Sequence, residues 1–138
     1  MRPRRSIDDM LAEARQRISR LSPTDAWNAM STGGVLVDLR CEEDRRSAGV
    51  VPGSIHVPRS VLEWRADPVS PWRDQRIARL DARLILLCSD GYSSSLAGAS
   101  LRDLGCTDVG DVVGGFAAWR RDGLPVAALD GRSGPVTS

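Results

Sequence analysis

The sequence contains no lysine. All nineteen of its basic residues are arginine, and eighteen acidic residues leave a formal charge of +1. So balanced a chain predicts no strong attraction to nucleic acid or to an anionic membrane. Histidine occurs once, at His56, and the three cysteines (Cys41, Cys88 and Cys106) form no Cys-x-x-Cys pair. A zinc site is therefore not expected, and an odd trio of thiols is no disulfide scaffold. A reducing cytoplasm is the simplest compartment for them. No apolar run approaches the length of a membrane-spanning helix. The opening residues 1–16 carry basic side chains with no continuous apolar stretch behind them, which is not the pattern of a secretory signal.

What remains is an ordinary globular composition. With 138 residues, 41% hydrophobic and 27% charged, the chain is long enough for one domain with a real core. Ile7, Met10, Leu11, Ala14, Ile18 and Leu21 recur at helical spacing, and Ser6 with Asp9 resembles a capping box. This predicts an amphipathic helical extension over residues 1–20, packed on the domain's own surface or, alternatively, on a partner. Ser22-Pro23-Thr24-Asp25 opens a second helix, with Ser22 as N-cap and Pro23 in the first turn. Val35-Leu36-Val37 then reads as a strand, followed by the polar residues 41–49 and a short strand around Ile55. Residues 59–83 predict a long connection with some helix.

Leu84-Ile85-Leu86-Leu87 is the strongest strand signal, a continuous apolar run suited to burial on both faces. A polar loop and a helix through Leu101 follow, closed at Gly105. Val109–Val113 is another strand candidate, and Phe116–Trp119 starts a last short helix. Residues 129–138 are rich in Gly, Ser and Pro and predict a flexible tail. Alternating strands and helices argue for an α/β domain over residues 21–128 with a largely parallel sheet. Sites in such sheets form where strand C-termini lead into helices. That rule selects the loop after Leu87.

The loop is Cys88-Ser89-Asp90-Gly91-Tyr92-Ser93-Ser94. A thiol there would face unpaired N–H groups and the positive end of a helix dipole, both of which favour thiolate. Gly91 permits the turn that gathers amides into an anion nest, and Ser93 and Ser94 add hydroxyl donors or caps. Such a cysteine can act as a nucleophile. A small buried residue at a strand end is the plain structural alternative.

Four segments, in order, resemble the single-domain form of the rhodanese family of sulfurtransferases. Val37-Asp38-Leu39-Arg40 is similar to its Asp-x-Arg element. Residues 49–58 (GVVPGSIHVP) are similar to its Gly-His-Ile-Pro-Gly-Ala segment, with Val50 in place of the usual histidine. Cys88 to Ser94 is similar to its active-site loop, and Gly114-Gly115-Phe116-Ala117-Ala118-Trp119 to its closing Gly-Gly-x-x-x-Trp element. The resemblance implies a three-layer α/β fold with a largely parallel sheet flanked by helices. It implies sulfane-sulfur transfer, from thiosulfate or a persulfide to a thiol or protein-cysteine acceptor, through a persulfide on Cys88. Ser89, Asp90, Gly91, Tyr92, Ser93 and Ser94 would bind the donor, with Arg59 and Arg65 as cations expected to border the site. Asp38, Arg40, Gly115 and Trp119 would be structural, as would His56. No cofactor and no metal are called for.

Asp90 departs from the basic or neutral residue of many relatives. A carboxylate near Cys88 should raise the thiol's pKa and repel an anionic donor, so weak thiosulfate turnover is expected. Two other readings follow from the same loop. A cysteine phosphatase would need an arginine to clamp phosphate, where this chain has Ser93, Ser94 and Ser95. A non-catalytic interaction module would not need Cys88 and Gly91.

Overall fold

The computed structural model describes residues 3–129, so the tail expected over 129–138 lies almost entirely outside the described residues. Five parallel strands run in the order β1-β5-β4-β2-β3: β1 Ser19–Leu21, β2 Val35–Asp38, β3 Ile55–His56, β4 Arg83–Leu87 and β5 Asp108–Val112. Among the described residues six α-helices accompany them: α1 Ile7–Gln16, α2 Pro23–Met30, α3 Glu42–Ala48, α4 Leu62–Ala66, α5 Ser93–Leu104 and α6 Gly115–Arg121. The α/β class and parallel sheet expected from the sequence are what the chain forms.

The central strand shows why. Along β4 successive side chains point to opposite faces. Leu84 and Leu86 enter one apolar cluster, with Leu62, Ala97 and Leu101 from α4 and α5. Ile85 and Leu87 enter the other, with Ala26, Phe116 and Trp119 from α2 and α6. A strand covered on both faces needs no polar alternation, hence the unbroken apolar run.

Two expectations are corrected. The helical stripe ends at Gln16 rather than reaching Leu21, because the chain turns to pair β1 with β5; Leu21 is buried as a strand residue. A boundary at residue 20 therefore falls inside a strand, and α1 packs on α5 of the same domain. The polar residues 41–49 contain helix α3, which has no apolar stripe to betray it. Its acidic first turn (Glu42, Glu43, Asp44) and basic last turn (Arg45, Arg46) suit the helix dipole instead. The long connection holds a 3-10 turn at Arg59–Val61 and α4, then turns that bury Ile77 and Ala82. Among the described residues no helix is long and apolar enough to cross a membrane.

Candidate active site

β4 delivers Cys88 to the C-terminal edge of the sheet, and α5 starts five residues later. The thiol is buried, and Sγ accepts hydrogen bonds from Gly91 N–H (3.1 Å) and Ser94 N–H (3.4 Å). It forms part of the wall of a cavity of about 240 Å³, lined also by Leu39, Arg40, Ser89, Asp90, Tyr92 and Ser93. A second cavity of about 250 Å³ adjoins it through Arg40, Ser89 and Asp90, and is lined further by Asp44, Phe116 and Arg120.

Burial is the largest influence on the thiol and works against its ionisation. The Ser94 and Ser93 hydroxyls and the N–H groups of Ser94 and Gly91 outweigh it, so the Cys88 pKa lies below the ordinary thiol range. Ser94 has only one hydroxyl proton, and Asp111 Oδ2 accepts it at 2.7 Å. The Ser93 hydroxyl and the two amides are thus the donors left for the sulfur. This net lowering is opposite to what Asp90 alone predicts: Asp90 is exposed at the cavity rim, where water screens its charge.

The loop is built backbone against backbone. Phe116 N–H donates to the Cys88 carbonyl (2.8 Å) and Ala117 N–H to the Ser89 carbonyl (3.0 Å). Gly91 lies at φ +85°, and a Cβ there would stand 2.7 Å from Gly114 N. Gly115, at φ +61°, leaves no room either: its Cβ would stand 2.5 Å from the Cys88 carbonyl oxygen. The Gly-Gly pair is therefore the surface on which the cysteine loop rests. Trp119 anchors α6 below it, fully buried, with Nε1–H donating to the Pro125 carbonyl at 2.9 Å.

Asp38 and Arg40 form a buried pair beside the cavity. Arg40 donates Nε and Nη2 to the two Asp38 carboxylate oxygens (3.0 and 2.9 Å), and Nη2 also reaches the Gly49 carbonyl. Arg45 Nε gives Asp38 a further donor at 3.1 Å, and the Arg40 guanidinium lies 3.8 Å from the Phe116 ring centroid. His56 Nε2 donates to the Arg40 carbonyl at 2.7 Å. These bonds tie the ends of β2 and β3 to α3 and α6, and Arg40 also lines the cavity.

The arginines expected at the border do not lie among the cavity-lining residues. Arg59 pairs with Glu63 at 3.0 Å and lines a cleft between α1 and α5, because the 3-10 turn and α4 carry it to that helical face. Arg65 donates to the Trp72 carbonyl within its own connection. Instead the structure brings in Asp111, fully buried, which accepts from Ser94 Oγ and Ser95 Oγ (both 2.7 Å) and from Arg20 Nε (3.0 Å). A carboxylate in the middle of a buried strand needs partners, and that signal was available in the sequence. Cys41 is exposed and Cys106 buried, and neither is among the residues lining these cavities.

The rhodanese-like domain family matches residues 22–122. The thiosulfate sulfurtransferase GlpE of Haemophilus influenzae (strain PittEE) is 31% identical over 108 residues, covering 77% of this chain and 91% of that protein. GlpE of Pseudomonas fluorescens (strain SBW25) is 36% identical over 101 residues, covering 73% and 84%. Among solved structures, a protein of unknown function from Rhodopseudomonas palustris, described as a possible tyrosine phosphatase, is similar with a TM-score of 0.82 and 32% identity, covering 91% of this chain and 97% of that one. A polysulfide-sulfur transferase from Wolinella succinogenes shares the fold (TM-score 0.70, 22% identity, covering 90% and 88%).

Proposed function

The chain belongs to the rhodanese-like family, and we propose that it is a sulfurtransferase in which Cys88 carries sulfane sulfur as a persulfide. The observation that carries this reading is Cys88 Sγ itself, held by the Gly91 and Ser94 amides against an open cavity. The Cys88 thiolate attacks the outer sulfur of the donor. A Cys88 S–S bond forms, the donor's S–S bond breaks, and with thiosulfate the electron pair leaves on sulfite. The terminal sulfur of the persulfide then carries negative charge, which fixed N–H groups stabilise without reorganising. An acceptor thiolate attacks that terminal sulfur, takes it as a new persulfide and returns the Cys88 thiolate.

A phosphatase reading finds no support in the loop. The positions that would supply a phosphate-clamping guanidinium are Ser93, Ser94 and Ser95. Intact mass with peptide mapping tests the transferase reading: after exposure to thiosulfate, polysulfide or a persulfidated thiol, the Cys88 peptide gains one sulfur atom, and the Cys88→Ser variant does not. No gain with any of the three donors would end it.

A further inference from the structure

Three carbonyls of the cysteine loop are tied from outside, and each tie orients a peptide. A trans peptide points its C=O and N–H in opposite directions. α6 ties the carbonyls of Cys88 and Ser89, which turns the N–H groups of Ser89 and Asp90 away from α6. The third tie has a different origin. The Gly91 carbonyl accepts from Arg15 Nη2 at 2.8 Å and from Arg20 Nη2 at 3.2 Å. Both arginines precede residue 22, where the family match begins.

Each guanidinium is itself held by a second partner. Arg15, on α1, donates Nε to Ser95 Oγ at 3.1 Å and lies 5.6 Å from the Tyr92 ring centroid. Arg20 sits opposite Asp111 in the β1–β5 register and donates Nε to it at 3.0 Å. Two cations converging on one carbonyl polarise that peptide and make its N–H a stronger donor. A lysine at position 15 would lack the planar fork that places Nε on Ser95 and Nη2 on the Gly91 carbonyl at once.

We propose that Arg15 and Arg20 are positioning residues for the sulfur cradle: by anchoring the Gly91 carbonyl on the outer side of the loop they hold the Gly91–Tyr92 peptide in place, and with it the flanking Gly91 and Ser94 N–H groups that donate to Cys88 Sγ. The N-terminal helix thereby becomes part of the active site without touching substrate. Only the sulfur-uptake readout of this proposal rests on the transferase reading; the hold on the Gly91 and Ser94 amides is tested on the thiol itself.

The test uses the full chain, wild type and the variants Arg15→Ala, Arg15→Lys and Arg15→Ala/Arg20→Lys. Iodoacetamide alkylation of the Cys88 peptide is followed against pH, alongside thermal melting and persulfide formation from thiosulfate. Arg15→Ala is expected to raise the alkylation midpoint by about 0.5–1 pH unit, a three- to tenfold loss of thiolate below the midpoint. Arg15→Lys should fall between it and wild type, the double variant should shift further, and persulfide formation should slow by matching factors. A merely structural role would lower the melting temperature and leave the midpoint in place. If Arg15→Ala and the double variant keep the wild-type midpoint while wild type takes up sulfur, the positioning role is wrong and the transferase reading stands. If the midpoints shift but no protein takes up sulfur, the positioning role holds and the transferase reading falls.

Discussion

Replacing Asp111 with alanine should unfasten the cysteine loop from the sheet, at a cost that can be worked from its partners. The carboxylate is fully buried and accepts from two serine hydroxyls at 2.7 Å and from Arg20 Nε at 3.0 Å. Breaking a buried pair by removing one member costs about 3–5 kcal/mol. The lower end applies, because Arg20 is 24% exposed and can turn its charge to water. Ser95 already stands 3.4 Å from the Gly91 carbonyl and can bond there instead. A loss of about 3 kcal/mol remains, which for a chain of this size lowers the melting temperature by about 12 °C. Urea unfolding at constant m-value measures it. Ser94→Ala/Ser95→Ala in a double-mutant cycle with Asp111→Ala should show coupling of at least about 1 kcal/mol. A loss below about 1 kcal/mol for Asp111→Ala, or additivity in the cycle, would refute the network as a fastening.

The Cys88 thiol, lowered by hydroxyl and amide donors against the opposing effect of burial, should reach its alkylation plateau at a lower pH than thiols of the unfolded chain; a midpoint at or above theirs would contradict the geometry. Cys106, pushed up chiefly by burial, should stay unmodified at neutral pH while the native state persists, and rapid labelling would show otherwise. Asp90 is exposed at the cavity rim, where a unit charge at about 6 Å in a water-like dielectric is worth about 0.7 kcal/mol. Against a dianionic donor, Asp90→Ala should therefore raise kcat/KM for thiosulfate roughly three- to tenfold at low salt, with the gain shrinking as salt rises, and no gain would mean that the carboxylate does not meet the donor. Gly115→Ala puts a Cβ at φ +61° within 2.5–2.8 Å of the Cys88 carbonyl oxygen, Gly91 N and Asp90 N; persulfide formation should drop at least tenfold with the circular dichroism of the fold retained, and wild-type transfer would overturn the account of that glycine.

The parts of this molecule legible in its sequence are those that act locally. Leu84–Leu87 announced a strand buried on both faces, and Cys88 followed from where that strand ends. Gly91 and the Gly114-Gly115 pair could be picked out as motif residues, but their reason is visible only in three dimensions, since each glycine makes room for the other segment's backbone. The Asp38–Arg40 pair left a trace in the sequence as an Asp-x-Arg element, but its third member Arg45 did not, because α3 has no apolar face to mark it as a packed helix. Arg59 was misplaced because a cation's position along an irregular connection carries no periodicity from which to infer a direction. Arg15 and Arg20 were missed for a related reason; Asp111 alone carried a signal, as a carboxylate inside an apolar strand. The arginines meet the loop at Gly91 across sequence separations of 76 and 71 residues, and Asp111 meets Ser94 and Ser95 across 17 and 16, while the apolar stripe through Ile18 and Leu21 concealed a strand that pairs with β5. That pairing sets Arg20 beside Asp111 and brings both to the back of the loop. The sheet's edge strand is therefore what connects the N-terminal helix to the Cys88 loop, and a helix that looked like an appendage bonds to one of that loop's carbonyls.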